Sequence, residues 1–190
     1  MKHTLLLLIA ACVLLAPAAE AQIDPDPDNV GIFFDLNATV NCAEVYFSAI
    51  ECYIMILSPS EPSGVGGMSA TFELSPTLIF LGLNCPGDII LPPPWPEFQV
   101  FFSTPLPPEL VVPICSFTIF VLDIQPAFLT IHDAHYIAGD DPGLVIPLHP
   151  MTHYDYYGNP NPVAAVNAGA DLCPVSDAKT TWGGLKALYN

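Results

Sequence analysis

Gly67-Met68-Ser69-Ala70-Thr71-Phe72-Glu73-Leu74 is the stretch on which the fold turns. Met68, Ala70, Phe72 and Leu74 alternate with Ser69, Thr71 and Glu73. In an extended chain, successive side chains point to opposite faces, so this alternation puts one apolar and one polar set back to back. The apolar set needs cover from other elements and the polar set tolerates water. The segment is therefore expected as a strand that closes a core on one side only.

The same texture continues in both directions. Cys115, Phe117, Ile119 and Val121 alternate with Ser116, Thr118, Phe120 and Leu122, and Leu78 to Leu83, Phe98 to Phe102 and Ala127 to Ile131 make further short strands. Upstream, Val30 to Asp35 reads as a first strand. Cys52 to Leu57 is apolar on both faces and so is expected at the centre of a sheet. Pro59, Pro62, Gly64 to Gly67, and Pro92-Pro93-Pro94 and Pro96 around Trp95 punctuate these runs. With 22 prolines in 190 residues, long helices are disfavoured. Six or seven short strands between turn residues specify an all-β chain folded as an antiparallel β-sandwich. We expect a core over 30–135, a loop-rich extension of the same domain over 136–178 with one strand at Leu144 to Leu148, and a C-terminal tail over 179–190.

The N-terminus has the order of a secretory signal: Lys2 and His3, an apolar run from Leu5 to Leu15, then Pro17, Ala19 and Ala21. Cleavage is expected after Ala21, which makes residues 1–21 the signal and Gln22 the first mature residue. The rival lipobox reading of Ile9-Ala10-Ala11-Cys12 leaves too short an apolar region before the cysteine. Residues 22–29, with alternating Asp and Pro, read as an acidic, extended leader. The product is expected outside the cytoplasm, whether extracellular, periplasmic or on the cell surface.

Charge narrows the choice of partner. The chain has a net charge of −16, unchanged by removal of residues 1–21, and contains no arginine. Nucleic acids and anionic membrane surfaces need Lys and Arg against their phosphates, so both are set aside. Export makes disulfides the default for Cys42, Cys52, Cys85, Cys115 and Cys173. Five is odd, and no CxxC spacing points to zinc or thioredoxin-like chemistry. A Cys42–Cys173 bridge would clip the C-terminal segment onto the fold. Cys115, on the inward face of its strand, is the expected buried cysteine, free or bridged to Cys52.

Taken together, the Gly-rich turn, the alternating strand Met68 to Leu74, the proline-bounded strand Leu78 to Leu83 and the strand Phe117 to Leu122 resemble bacterial cohesin-like sandwich modules, of immunoglobulin type, over residues 30–135. The resemblance implies a non-catalytic module that recognises another protein through a sheet face. No recognition residue of that family maps onto this chain position by position, and there is no dockerin-like calcium loop. The ending Thr181-Trp182-Gly183-Gly184-Leu185-Lys186-Ala187-Leu188-Tyr189 is also similar to C-terminal tails of secreted bacterial proteins with such sandwiches. Trp182, Leu185 and Leu188 recur at helical spacing, with Tyr189 adjoining. An apolar stripe of this kind either docks on the sandwich or is offered for sorting or assembly, and the sequence leaves both open.

Three chemistries compete with binding. His132, Asp133, His135, His149 and His153 put four of the five histidines, with an aspartate, in one short window that ends at Tyr157, a donor set for zinc, copper or nickel. In a regular strand Asp133 and His135 share a face and His132 points away, and no HExxH occurs. Polar loop packing is the commoner fate, but a small metal-dependent enzyme using His132 to Tyr157 stands as the rival function. Calcium has candidate carboxylates at Asp24, Asp26 and Asp28 and at Asp140 and Asp141, without an EF-hand pattern. Acid–base hydrolysis has carboxylates but no spacing that selects a pair, and GxSxG is absent. The function read from the sequence is thus a secreted, non-catalytic binding or surface-assembly module with no assigned cofactor, acting through a protein partner or self-assembly.

Overall fold

The computed structural model of the chain describes residues 26–91, 97–151 and 163–169. Its strands are β1 (Asn29–Phe33), β2 (Cys42–Ala43), β3 (Ala49–Leu57), β4 (Val65–Leu74), β5 (Leu78–Asn84), β6 (Asp88–Leu91), β7 (Glu97–Leu106), β8 (Val111–Val121), β9 (Ala127–Ala138), β10 (Val145–Pro147), β11 (His149–Pro150) and β12 (Ala164–Val166). They form two sheets, ordered β11-β1-β3-β8-β5 and β2-β12-β9-β4-β7-β6, with β10 added beside β9.

The alternating strand behaves as its pattern demands. In β4, Met68, Ala70 and Phe72 are buried while Ser69, Thr71 and Glu73 keep contact with solvent. The apolar sides of β4, β7 and β9 meet those of β1, β3, β5 and β8 in one continuous core that includes Val30, Ile54, Phe72, Phe98, Phe117 and Ile131. Phe72 and Phe98 pack edge to face with centroids 5.6 Å apart, a geometry that aligns ring edges with ring faces.

The apolar run in β3 has a second cover. Cys52, Ile54 and Ile56 face the main core, whereas Met55 and Leu57 pack with Phe33 and Ala38 on the opposite side of the sheet. The segment after β1 forms that cover. The Asp35 carboxylate accepts the N–H groups of Thr39 at 2.9 Å and Val40 at 2.7 Å and the Thr39 hydroxyl at 2.7 Å. Burial works to raise the Asp35 carboxyl, but these bonds together outweigh it and hold it below its ordinary 3.8.

The central position expected for Cys52 to Leu57 holds, with β3 between β1 and β8. The expected β-sandwich is present and antiparallel in its long ladders, with two short parallel pairings, β1–β11 and β2–β12, that make both sheets mixed. Two expectations need correction. The core does not stop at 135: β9 runs to Ala138, β10 falls within the strand expected at Leu144 to Leu148, and the unexpected β11 and β12 also join the sheets. Val163 to Val166 is a buried apolar run too short to register against its polar surroundings. Nor is the leader wholly detached, because β1 begins at Asn29 and Asp28 is bonded to the body.

The cysteines are also reassigned. Cys115 is neither free nor bridged to Cys52; it pairs with Cys85. Antiparallel pairing sets Ser116 opposite Asn84 and thereby brings Cys85 alongside, while Cys52 lies opposite Phe117. Among the described residues Cys52 is instead the free thiol, and it is buried. Cys42 is disulfide-bonded, and its proposed partner Cys173 lies outside the described residues. The signal peptide, His153, Tyr157, Asp24 and the tail residues Trp182, Leu185, Leu188 and Tyr189 lie outside them as well.

Candidate functional site

The polar side of β4 and its neighbours forms a broad outward face. Register sets it in rows: His132 of β9 lies opposite Thr71, which lies opposite Glu97 of β7; His135 lies opposite Ser69, which lies opposite Gln99. A third row runs Ile137, Gly67 and Phe101. Gly67 keeps that row flat: a Cβ there would stand 2.8 Å from the Val100 carbonyl oxygen and 3.1 Å from the Phe101 ring. Ser69, Thr71, Gln99, Phe101, His132 and His135 are each part-exposed, and Glu73 and Glu97 are exposed.

The histidines share this face because the strand is irregular. Between the Ser69 and Thr71 pairings, β9 spends one more residue than β4, and Asp133 takes a left-handed φ of 49°. Asp tolerates this backbone better than most residues, and one inserted residue re-aims those that follow. His132 and His135 therefore point the same way, Ala134 turns inward, and the strict alternation expected for this segment fails. His132 Nε2 lies 3.5 Å from Glu73 Oε2, and His135 Nδ1 lies 3.3 Å from the Asp133 carbonyl.

Among the described residues the metal candidates are not all brought together. His149 is on β11, at the edge of the opposite sheet beside Asn29. Among the described residues no group of three or more His, Cys, Asp or Glu converges as a metal site. Two of the calcium candidates, Asp28 and Asp141, accept hydrogen bonds from the fold itself. Asp28 Oδ1 accepts the Ser60 N–H at 2.7 Å and the Tyr136 hydroxyl at 2.9 Å, and Asp141 Oδ1 accepts the Gly143 N–H at 2.9 Å in a turn.

What remains is a surface suited to contact. Hydroxyl, amide and imidazole groups on rigid strands offer donors and acceptors with little ordering cost, and the strands fix their spacing. Sequence reasoning found the polar set of β4 but not the neighbours that complete the face. The three-residue step from His132 to His135 was the available trace, since it fits a shared face only if an extra residue is inserted between them.

No protein-family model matches the chain, and no curated protein matches it. Solved structures do. The sixth cohesin of scaffoldin B from Acetivibrio cellulolyticus, determined in complex with a Cel5 dockerin, aligns with a TM-score of 0.51 at 11% identity over 73% of this chain and 96% of that one. A cohesin module of a Clostridium perfringens family 33 glycoside hydrolase aligns at 0.49 with 17% identity, over 64% and 89% of the two chains. A non-cellulosomal cohesin from the archaeon Archaeoglobus fulgidus aligns at 0.47 with 11% identity, over 64% and 86%. The fold is a cohesin-like β-sandwich, as the sequence resemblance implied.

Proposed function

We propose that this chain is an exported, non-catalytic binding module that recognises a protein partner through the outer face of β9, β4 and β7. The observation that carries the reading is the face itself: two cross-strand rows of polar side chains that reach solvent, His132-Thr71-Glu97 and His135-Ser69-Gln99, on paired strands. The cohesin from Acetivibrio cellulolyticus was captured holding a protein partner, which supports contact as the use of such a fold. The Cys85–Cys115 disulfide accords with work outside the reducing cytoplasm. A net charge of −16 favours a basic or neutral partner over a second copy carrying the same charge. The reading requires no metal or other cofactor.

Affinity capture from the secreted proteins of the native source tests it. The wild-type chain is expected to retain a specific protein, and Thr71→Arg with Gln99→Arg, which crowd the face without touching the core, to lose it. Equal capture by wild type and variant would reject this face as the site.

A further inference from the structure

One end of the sandwich carries a cluster of apolar side chains that the binding face does not use. Asn167, just beyond β12, ties this end together. Its side-chain oxygen accepts the Val45 N–H at 2.8 Å, and its amide donates to the carbonyls of Val45 at 2.7 Å and Asp123 at 3.2 Å. Flanking those anchored residues, Tyr46 is 51%, Phe47 65%, Leu122 44% and Ile124 56% exposed. The Leu122 N–H donates to the Thr77 carbonyl, which brings Ile79, 43% exposed, to the same end. Phe47 also holds a φ of 48°, a backbone state costly for an aromatic residue. Single exposed apolar residues are ordinary, but five gathered at one end form a patch.

We propose that residues 179–190 of the same chain cover this patch. The described chain reaches Gly169, two residues past Asn167, so the segment sets out from the patch's own edge. Thirteen further residues lead to Trp182, a reach of up to about 43 Å at ~3.3 Å per extended residue, ample to fold back across one end of a sandwich. The segment brings a matching apolar set, Trp182, Leu185, Leu188 and Tyr189. Charge complements the fit. Lys179 and Lys186 are the chain's only lysines besides Lys2, and there is no arginine, while Glu44 and Asp123 stand at the patch's rim next to Val45 and Leu122. Apolar contact with two cations over an acidic rim favours this segment over a second acidic copy.

Trp182 reports the docking directly, because Trp95 is the only other tryptophan. In full-length protein carrying Trp95→Phe, Trp182 fluorescence is expected to be blue-shifted and resistant to acrylamide. Adding Phe47→Glu and Leu122→Glu, both at exposed positions, should move it to the solvent-exposed wavelength and raise quenching several-fold. Lys186→Glu in the tail, which leaves the sandwich untouched, should weaken the protection in the same sense. Solvent-like emission in the parent, or protection that ignores both sets of substitutions, would overturn the proposal. So would protection that fades on dilution together with a dimer in sedimentation, which would place the segment on a neighbouring copy.

Discussion

The Tyr136 hydroxyl donates to Asp28 Oδ1 at 2.9 Å, joining the C-terminal part of β9 to the residue before β1 across 108 positions of sequence. The same phenol oxygen accepts the Glu61 N–H at 3.1 Å, and Asp28 Oδ1 accepts the Ser60 N–H at 2.7 Å. Burial pushes the Tyr136 phenol up, and hydrogen bonding to Asp28 adds to the rise. One hydroxyl thus pins the chain entry, the β3–β4 turn and β9 together. Tyr136→Phe keeps the ring and leaves Asp28 and the Glu61 N–H short of a partner, so it is expected to cost about 1–3 kcal/mol in urea unfolding. An unchanged unfolding midpoint would contradict that role.

Cys52 is expected to be chemically silent in the native protein. Burial pushes its thiol far above the ordinary range, with the Glu51 carboxylate adding to the effect, and the thiolate is the reactive form. Iodoacetamide should modify no cysteine in the folded, non-reduced chain and should label Cys52 once denaturant is added. Rapid labelling at neutral pH without denaturant would show that the site opens.

Non-reducing peptide mapping should recover Cys85 joined to Cys115 and Cys42 joined to Cys173, the one mature cysteine otherwise unaccounted for. Loss of the Cys85–Cys115 loop, a separation of 30 residues, is worth about 3–4 kcal/mol in the chain-entropy model. Cys85→Ser with Cys115→Ser should therefore lower the melting temperature well below that of wild type. A map that finds Cys173 as a free thiol would reject the second bridge.

Asp35 gives the segment over Met55 and Leu57 an acid sensitivity of defined sign. Its folded-state value is depressed, so its contribution is present above the unfolded-state value and is lost as pH falls through the lower, folded one. Amide exchange at Thr39 and Val40 should therefore accelerate, relative to other slow amides, as pH falls below the ordinary 3.8 of the carboxyl. Asp35→Ala should show the faster exchange already at neutral pH. No difference between wild type and variant would remove Asp35 as the clasp.

The sandwich was legible where one period ran unbroken. Met68 to Leu74 and Cys115 to Val121 bury the expected residues because each strand has one solvent-facing side. The failures share a cause. Val163 to Val166, and the pairs in β2 and β11, are two to four residues long, below the length at which a period can be read, and tertiary pairing alone makes them strands. The Cys115 partner depended on which strand lies next to β8, a non-local fact that spacing does not contain. Likewise, the face holding His132 and His135 hinges on the left-handed Asp133, which shifts the alternation by one.

The proposed binding face can be read directly from a hydrogen-exchange footprint of the chain with and without its captured partner. The account predicts slowed exchange at the edges of the face, in β7 around Gln99 and in β9 around His132 to His135, with the Tyr46 to Phe47 end unchanged. Protection confined to that apolar end or to β5, with β7 and β9 unaffected, would contradict it.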